Sequence, residues 1–173
     1  MTCPQCGAPL SCTDSSLETE NDFLRCGDCE ALYFPEPNAE GIRVLGVPSD
    51  FACPQCRTRQ LVHASVGGER VFYCEGCHGL LIQMRVFPEI VDQMRSHHLT
   101  SEYPGKQPDW DQLKRLVKCP LCDAPMDAHP YAGPGAVIID SCSDCCVNWL
   151  DHGELQRIVR APDHRFAASL VVA

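Results

Sequence analysis

The chain has 173 residues, a formal charge of −9, 7% aromatic residues, and 14 prolines with 12 glycines. So loop-rich a composition suits small ribbons and fits a large continuous core poorly, and no apolar run approaches the ~20 residues of a membrane span. The acidic balance disfavours a generally phosphate-binding surface.

Twelve of the 14 cysteines form six C-x-x-C pairs, and the pairs group into three units. In chain order these are Cys3/Cys6 with Cys26/Cys29, Cys53/Cys56 with Cys74/Cys77, and Cys119/Cys122 with Cys142/Cys145. The pairs within a unit are separated by 19, 17 and 19 residues. A C-x-x-C turn offers two corners of a tetrahedral metal site, and a second pair at this distance offers the other two. Three ions are expected, with zinc favoured; iron fits four thiolates geometrically. Disulfides fit less well, because every pair keeps the i, i+3 spacing and Met1-Thr2-Cys3-Pro4 shows no signal peptide. A reducing cytoplasm is the expected compartment.

Unit one opens on Pro4 inside the first turn, with Gly7 after it where a left-handed residue is wanted. Cys12 to Asp22 is polar and acidic, and only Phe23-Leu24 is strand-like. Pro35 and Pro37 break the next stretch, so residues 35–50 read as a linker or a strand and unit one is expected to move independently. Unit two predicts a hairpin, with Leu61–Val66 and Arg70–Tyr73 flanking Gly67-Gly68. Phe87, Ile90, Val91 and Met94 then have helical spacing behind Pro88. Asp109 and Gln112 suggest a capped helix over 109–117, with Trp110, Leu113, Leu116 and Val117 apolar and packed against unit three. Unit three has a turn-rich Pro130–Gly135, then Val137-Ile138-Ile139 as a strand. Asp151 and Glu154 stand at capping-box spacing before a helix bearing Leu155, Ile158 and Val159, which Pro162 ends. The residues after Pro162 are expected to be poorly ordered. Four and five positions beyond the last cysteine each unit places a large apolar pair: Tyr33-Phe34, Leu81-Ile82 and Trp149-Leu150.

These residues resemble the transcription-factor-IIB-type zinc-ribbon family. The match is fullest in unit three, at Cys119, Cys122, Cys142, Cys145, Trp149, Leu150, Asp151, Gly153, Glu154 and Leu155. Unit two matches at Cys53, Pro54, Cys56, Cys74, Cys77 and Gly79, with Ile82-Gln83 where Leu-Asp is expected. Unit one matches at its cysteines, Pro4, Gly7 and Tyr33-Phe34. The resemblance implies zinc binding and a ribbon fold; DNA binding is not carried over, because fold does not fix function.

The expected fold is a small metal-stabilised α+β protein: three tandem zinc ribbons, each a β-hairpin with zinc knuckles, plus short helices after the second and third. The expected division is a degenerate ribbon at 1–47, a ribbon with helix at 48–99, a linker with a short helix at 100–118, a ribbon with helix at 119–161, and a tail at 162–173. Units this small rarely stand on apolar burial alone, and a structural zinc can supply on the order of 10–16 kcal/mol of apparent folding energy.

Four-cysteine sites leave no vacancy for a metal-bound water. The histidines (His63, His78, His97, His98, His129, His152, His164) show no catalytic pattern, so a non-enzymatic interaction protein with protein partners is expected. Cys12 and Cys146 are left over as ordinary thiols. One alternative is a nucleic-acid-binding or transcription-associated protein using Arg57, Arg59, Arg70, Arg85 and Arg95, with Phe72 and Tyr73 to stack on bases. These arginines must share one face for that reading to gain. A thiol or metal redox sensor is the second alternative.

Overall fold

A computed structural model describes residues 2–8, 23–96, 109–132 and 136–161. Cys12 and the acidic run to Asp22, His97, His98, His164, half of the Pro130–Gly135 turn, and Pro162 with the tail after it lie outside the described residues.

Among the described residues the molecule is mostly sheet with two short helices. Unit one contributes β1 (Leu24–Arg25) and β2 (Leu32–Tyr33). Then come β3 (Arg43–Ala52), β4 (Gln60–Val66), β5 (Glu69–Tyr73), β6 (Leu80–Gln83) and α1 (Phe87–Ser96). A 3₁₀ turn at Trp110–Lys114 leads to β7 (Asp127–Pro130), β8 (Ile138–Cys142), β9 (Val147–Leu150) and α2 (Glu154–Arg160). The β4–β5 hairpin closes at Gly67 (φ 57°) and Gly68 (φ 75°), the pair of left-handed residues that a two-residue turn between twisted strands requires. Val62, Ala64, Val66, Val71 and Tyr73 alternate onto one side of the sheet, and α1 covers that side with Phe87, Ile90, Val91 and Met94.

Units two and three share a single seven-stranded sheet, in the order β3-β4-β5-β6-β9-β8-β7. Its centre is the antiparallel pair β6–β9, with Leu80 opposite Leu150, Leu81 opposite Trp149 and Ile82 opposite Asn148. Counted from the last cysteine of each unit, Leu81 and Trp149 hold the same position and pair with each other. Leu80 pairs with a residue two places further along unit three, and Ile82 with one the same amount back. The two units are therefore related by a local two-fold axis through the Leu81–Trp149 pair. Side chains break the symmetry in a complementary way. The Trp149 indole lies over Gly79, where an added Cβ would sit 2.6 Å from Cη2 and closer still to Cζ2. The helices obey the same axis: α1 and α2 both cover the helix side, where Leu155, Ile158 and Val159 join the core. Arg95 of α1 donates through Nη2 to the carbonyls of Ile158 (2.9 Å) and Ala161 (2.5 Å), satisfying the open end of α2.

Unit one is tied to this sheet rather than hung on a linker, which corrects its expected independence. The turn before β3 is built on Asn38, whose Oδ1 accepts from the amides of Glu40 and Ile42 (2.9 and 3.0 Å). Gln156 of α2 donates to the Glu40 carbonyl at 2.7 Å. Strand β3 then serves two cores. Val44 packs against the sheet's helix-side core, whereas Leu45 and Val47 pack with Cys3, Leu24, Cys26 and Tyr33 of unit one. The two sets lie on opposite faces of the strand by ordinary alternation; Gly46 (φ 69°) and a register shift between Val44 and Pro48 mark an irregularity in its pairing with β4. Pro48 is tolerated because β3 is an edge strand. The expected boundary at residue 47 falls inside β3.

Asp109 caps as expected, its side chain accepting from the Asp111 amide at 3.2 Å, but it opens only a 3₁₀ turn at Trp110–Lys114 with no buried residue, and Trp110 points outward, 57% exposed. The cap of α2 is corrected. Helix α2 starts from Gly153 in the left-handed conformation (φ 78°) with no side-chain cap. Asp151 instead binds Arg115 and the Trp149 Nε1–H (3.0 Å). Half of the capping box survives: Glu154 Oε2 accepts from the Asp151 amide at 2.8 Å.

Candidate metal centres

All six cysteine turns have one backbone plan. The residue after the second cysteine is left-handed each time: Gly7 (φ 75°), Glu30 (58°), Arg57 (59°), His78 (60°), Asp123 (59°) and Cys146 (54°). In the five turns before the last, its amide returns to the carbonyl of the first cysteine, at 2.9 Å in Gly7→Cys3, 3.0 Å in Glu30→Cys26 and 2.8 Å in His78→Cys74. Five of the six are not glycine, and each such residue costs on the order of 1 kcal/mol or more. Cys146 is thus the residue that turns the chain; its exposed thiol faces the Ser143 carbonyl at 3.4 Å and is outside the ligand group.

These turns gather the twelve expected cysteines into three groups of four, with the sulfurs of each group within 4.8 Å of one another. Neighbouring Sγ atoms stand at 3.6 Å (Cys3–Cys29), 3.5 Å (Cys6–Cys26), 3.5 Å (Cys53–Cys77), 3.8 Å (Cys56–Cys74) and 3.7 Å (Cys122–Cys142). A tetrahedron of thiolates about 2.3 Å from zinc has edges of ~3.8 Å, so the groups fit such an ion. In every turn the first cysteine is buried, and the second is exposed or half-buried. Unit one is the most open, with Cys6 and Cys29 both exposed.

The electrostatics show why the groups want a cation. The amides of Cys6 and Gln5 point at the Cys3 sulfur and lower its pKa to about 7. Cys6 moves the other way: the Ala8 amide favours its thiolate, but the sulfurs of Cys26 and Cys29 push it up to about 12. Burial raises Cys53 to about 11 against the pull of the Cys56 and Gln55 amides. Four thiolates this close cannot all ionise without a positive charge among them, and a bound metal supplies it.

A second polar cluster was missed in the sequence. Arg115, between the 3₁₀ turn and unit three, donates to Asp140 of β8 at 2.5 Å and to Asp151. The Asp140 side chain is 2% exposed; burial raises its pKa and Arg115 pulls against that rise. Glu154 beside it is buried, and burial lifts its carboxyl to about 7 although the Asp151 amide favours the charge. The only available signal was Arg115 amid apolar residues, which reads equally well as solvated.

The five arginines of unit two do not form one face. Arg57 and Arg59 flank the first cysteine turn, the Arg59 stem lying over Gly76. Arg70 is on β5 near the hairpin turn, Arg85 follows β6, and Arg95 is taken up by α2. Of the expected stacking rings, Tyr73 is 5% exposed with its hydroxyl on His78 Nδ1 (2.5 Å), and Phe72 packs between Phe51 and His63. Exposed apolar side chains gather elsewhere: Trp110, Leu113, Leu116 (80% exposed) and Leu121 follow the segment entering unit three. A cleft of about 160 Å³ between Arg57, Leu116, Val117 and Trp149 opens beside them.

No helix among the described residues is long and apolar enough to cross a membrane. No protein-family model matches the chain, and neither does any curated protein or solved structure compared with it.

Proposed function

We propose that the chain is a transcription-factor-IIB-type protein of three tandem zinc ribbons. Its three zinc ions are structural, and its work in a reducing cytoplasm is to bind another protein rather than to catalyse. The observation that carries this reading is the exposed row Trp110, Leu113, Leu116 and Leu121 beside four-cysteine groups that leave a metal no open position. Large apolar groups on a strongly acidic chain suit a protein surface better than a phosphate backbone. Metal content, read by elemental mass spectrometry, should be three zinc per chain. The wild-type chain should retain a cellular partner that Trp110→Ser/Leu116→Ser loses. Salt-sensitive binding to DNA or RNA in an anisotropy titration, with no protein partner retained, would reverse the reading.

Redox sensing has one observation in its favour, the exposed Cys6 and Cys29 thiols of unit one. It requires mild peroxide to release one zinc reversibly before the other two.

A further inference from the structure

The strand after the last cysteine is the joint between units two and three, and unit one owns the same strand with nothing beside it. Cross-strand registers prove the equivalence. Leu24 pairs with Tyr33 and Arg25 with Leu32 in unit one; Phe72 pairs with Leu81 and Tyr73 with Leu80 in unit two; Asp140 pairs with Trp149 and Ser141 with Asn148 in unit three. Strands β2, β6 and β9 are therefore the same element. In units two and three its outer edge is filled by the other unit. In unit one the sheet is β1-β2 alone, and no strand among the described residues lies on the outer edge of β2.

Exposure differs too. Leu80, Ile82 and Leu150, which α1 and α2 also cover, are at most 3% exposed, whereas their counterparts Leu32 and Phe34 are 51% and 54% exposed. We propose that this edge is a self-association site, and that unit one pairs with unit one of a second copy across a two-fold axis, as β6 pairs with β9. The register of the internal joint transfers directly: Tyr33 faces its own counterpart, and Leu32 faces Phe34 of the other copy. That arrangement is isologous and closes on itself.

The occupant is a second copy for two reasons besides the internal precedent. The edge from Ala31 to Pro35 carries no charge; at its two ends Glu30 is paired with Arg25 at 3.1 Å and Glu36 is exposed. Two acidic units can meet along this neutral stretch, with Glu30 and Glu36 of opposite copies as the like charges that flank it and keep the pair weak. The area is also right for a weak pair: two half-open side chains and the partly buried Tyr33 a side bury well under the ~1,200 Å² of a stable complex, placing this one in the transient class. Pro35 has no amide to donate and stops the pairing there, which keeps the edge from templating longer assemblies.

Sedimentation velocity on the full zinc-loaded chain, under reducing conditions from micromolar to sub-millimolar, tests this. The expected result is a mass rising from 19.1 kDa toward twice that value. Leu32→Lys and Phe34→Glu should each hold the protein at monomer mass with unchanged metal content and circular dichroism. The double variant places opposite charges across both rows of the joint and should restore the dimer. A monomer at every concentration overturns the proposal, and so does a dimer that the single variants leave intact. Singles that dissociate it without rescue by the double variant overturn the register and the two-fold joint with it.

Discussion

Units one and two have the same cysteine turns and the same pairing between the strands that flank their last turn, yet they differ in what those strands bury. Leu80, Leu81 and Ile82 are sealed by β9 and the two helices, whereas Leu32 and Phe34 stand half in water. A metal can fix two turns of backbone in each unit, but apolar burial at roughly 25 cal/mol per Å² needs a neighbour to bury against. Units two and three supply that neighbour to each other, and unit one obtains part of one from Leu45 and Val47 of β3.

The comparison breaks most severely at the metal. Cys142→Ser should unfold units two and three together, because cysteines of both units pack around Leu81 and Trp149. Cys26→Ser should cost unit one alone. Far-UV circular dichroism with zinc counting by native mass spectrometry separates the outcomes; loss of unit three with unit two intact would make the shared sheet energetically unimportant.

Next in size is Arg115→Ala, which leaves Asp140 buried without its cation. A cost of about 3–5 kcal/mol is expected in urea unfolding. A smaller penalty falls on Gly79→Ala, where the new methyl would overlap the buried indole of Trp149. About 2–3 kcal/mol should be lost from the paired units. Gly27→Ala, with nothing within 4 Å of the new methyl, should cost under about 1 kcal/mol.

The smallest effect concerns Glu154. Its carboxyl holds a proton up to about pH 7 in the fold, while in the unfolded chain it loses that proton near 4.5. The group is neutral in both states below that window, so it contributes no pH dependence there. Stability falls as pH rises from about 4.5 to 7, since only the unfolded chain gains by ionising. Glu154→Gln keeps an acceptor for the Asp151 amide and removes the ionisation. It should therefore raise the melting temperature at pH 8 by the equivalent of about 1 kcal/mol and change it little at pH 5. An equal shift at both pH values would show that burial is not holding the proton.

Much of this was legible. The spacing of twelve cysteines anticipated the three groups, Gly67-Gly68 the hairpin, and Phe87, Ile90, Val91 and Met94 the buried face of α1. The apolar pair after each last cysteine was visible too, but periodicity says that a residue is buried and not against what. Leu81 meets Trp149 across 68 positions of chain, a distance at which no local pattern operates. Strand β3 stays open between linker and strand in the sequence because Pro35 and Pro37 stand just before it, and Pro48 inside it is compatible only with an edge strand, a place that sequence alone does not reveal. Asp151 misled because its cap geometry is correct locally; Arg115 and the indole simply compete better for its carboxylate.

The central joint also has a bearing on synthesis. Unit two has all four cysteines once residue 77 is made, but the strand that covers its edge arrives with Trp149. At 5–20 residues per second the gap between Leu81 and Trp149 lasts roughly 3–14 s. For that time the nascent chain presents an unpaired apolar β6 to whatever surrounds the ribosome. Metal captured early by Cys53, Cys56, Cys74 and Cys77 would hold the hairpin in shape through the wait, so metal supply should govern how much newly made chain escapes misassembly.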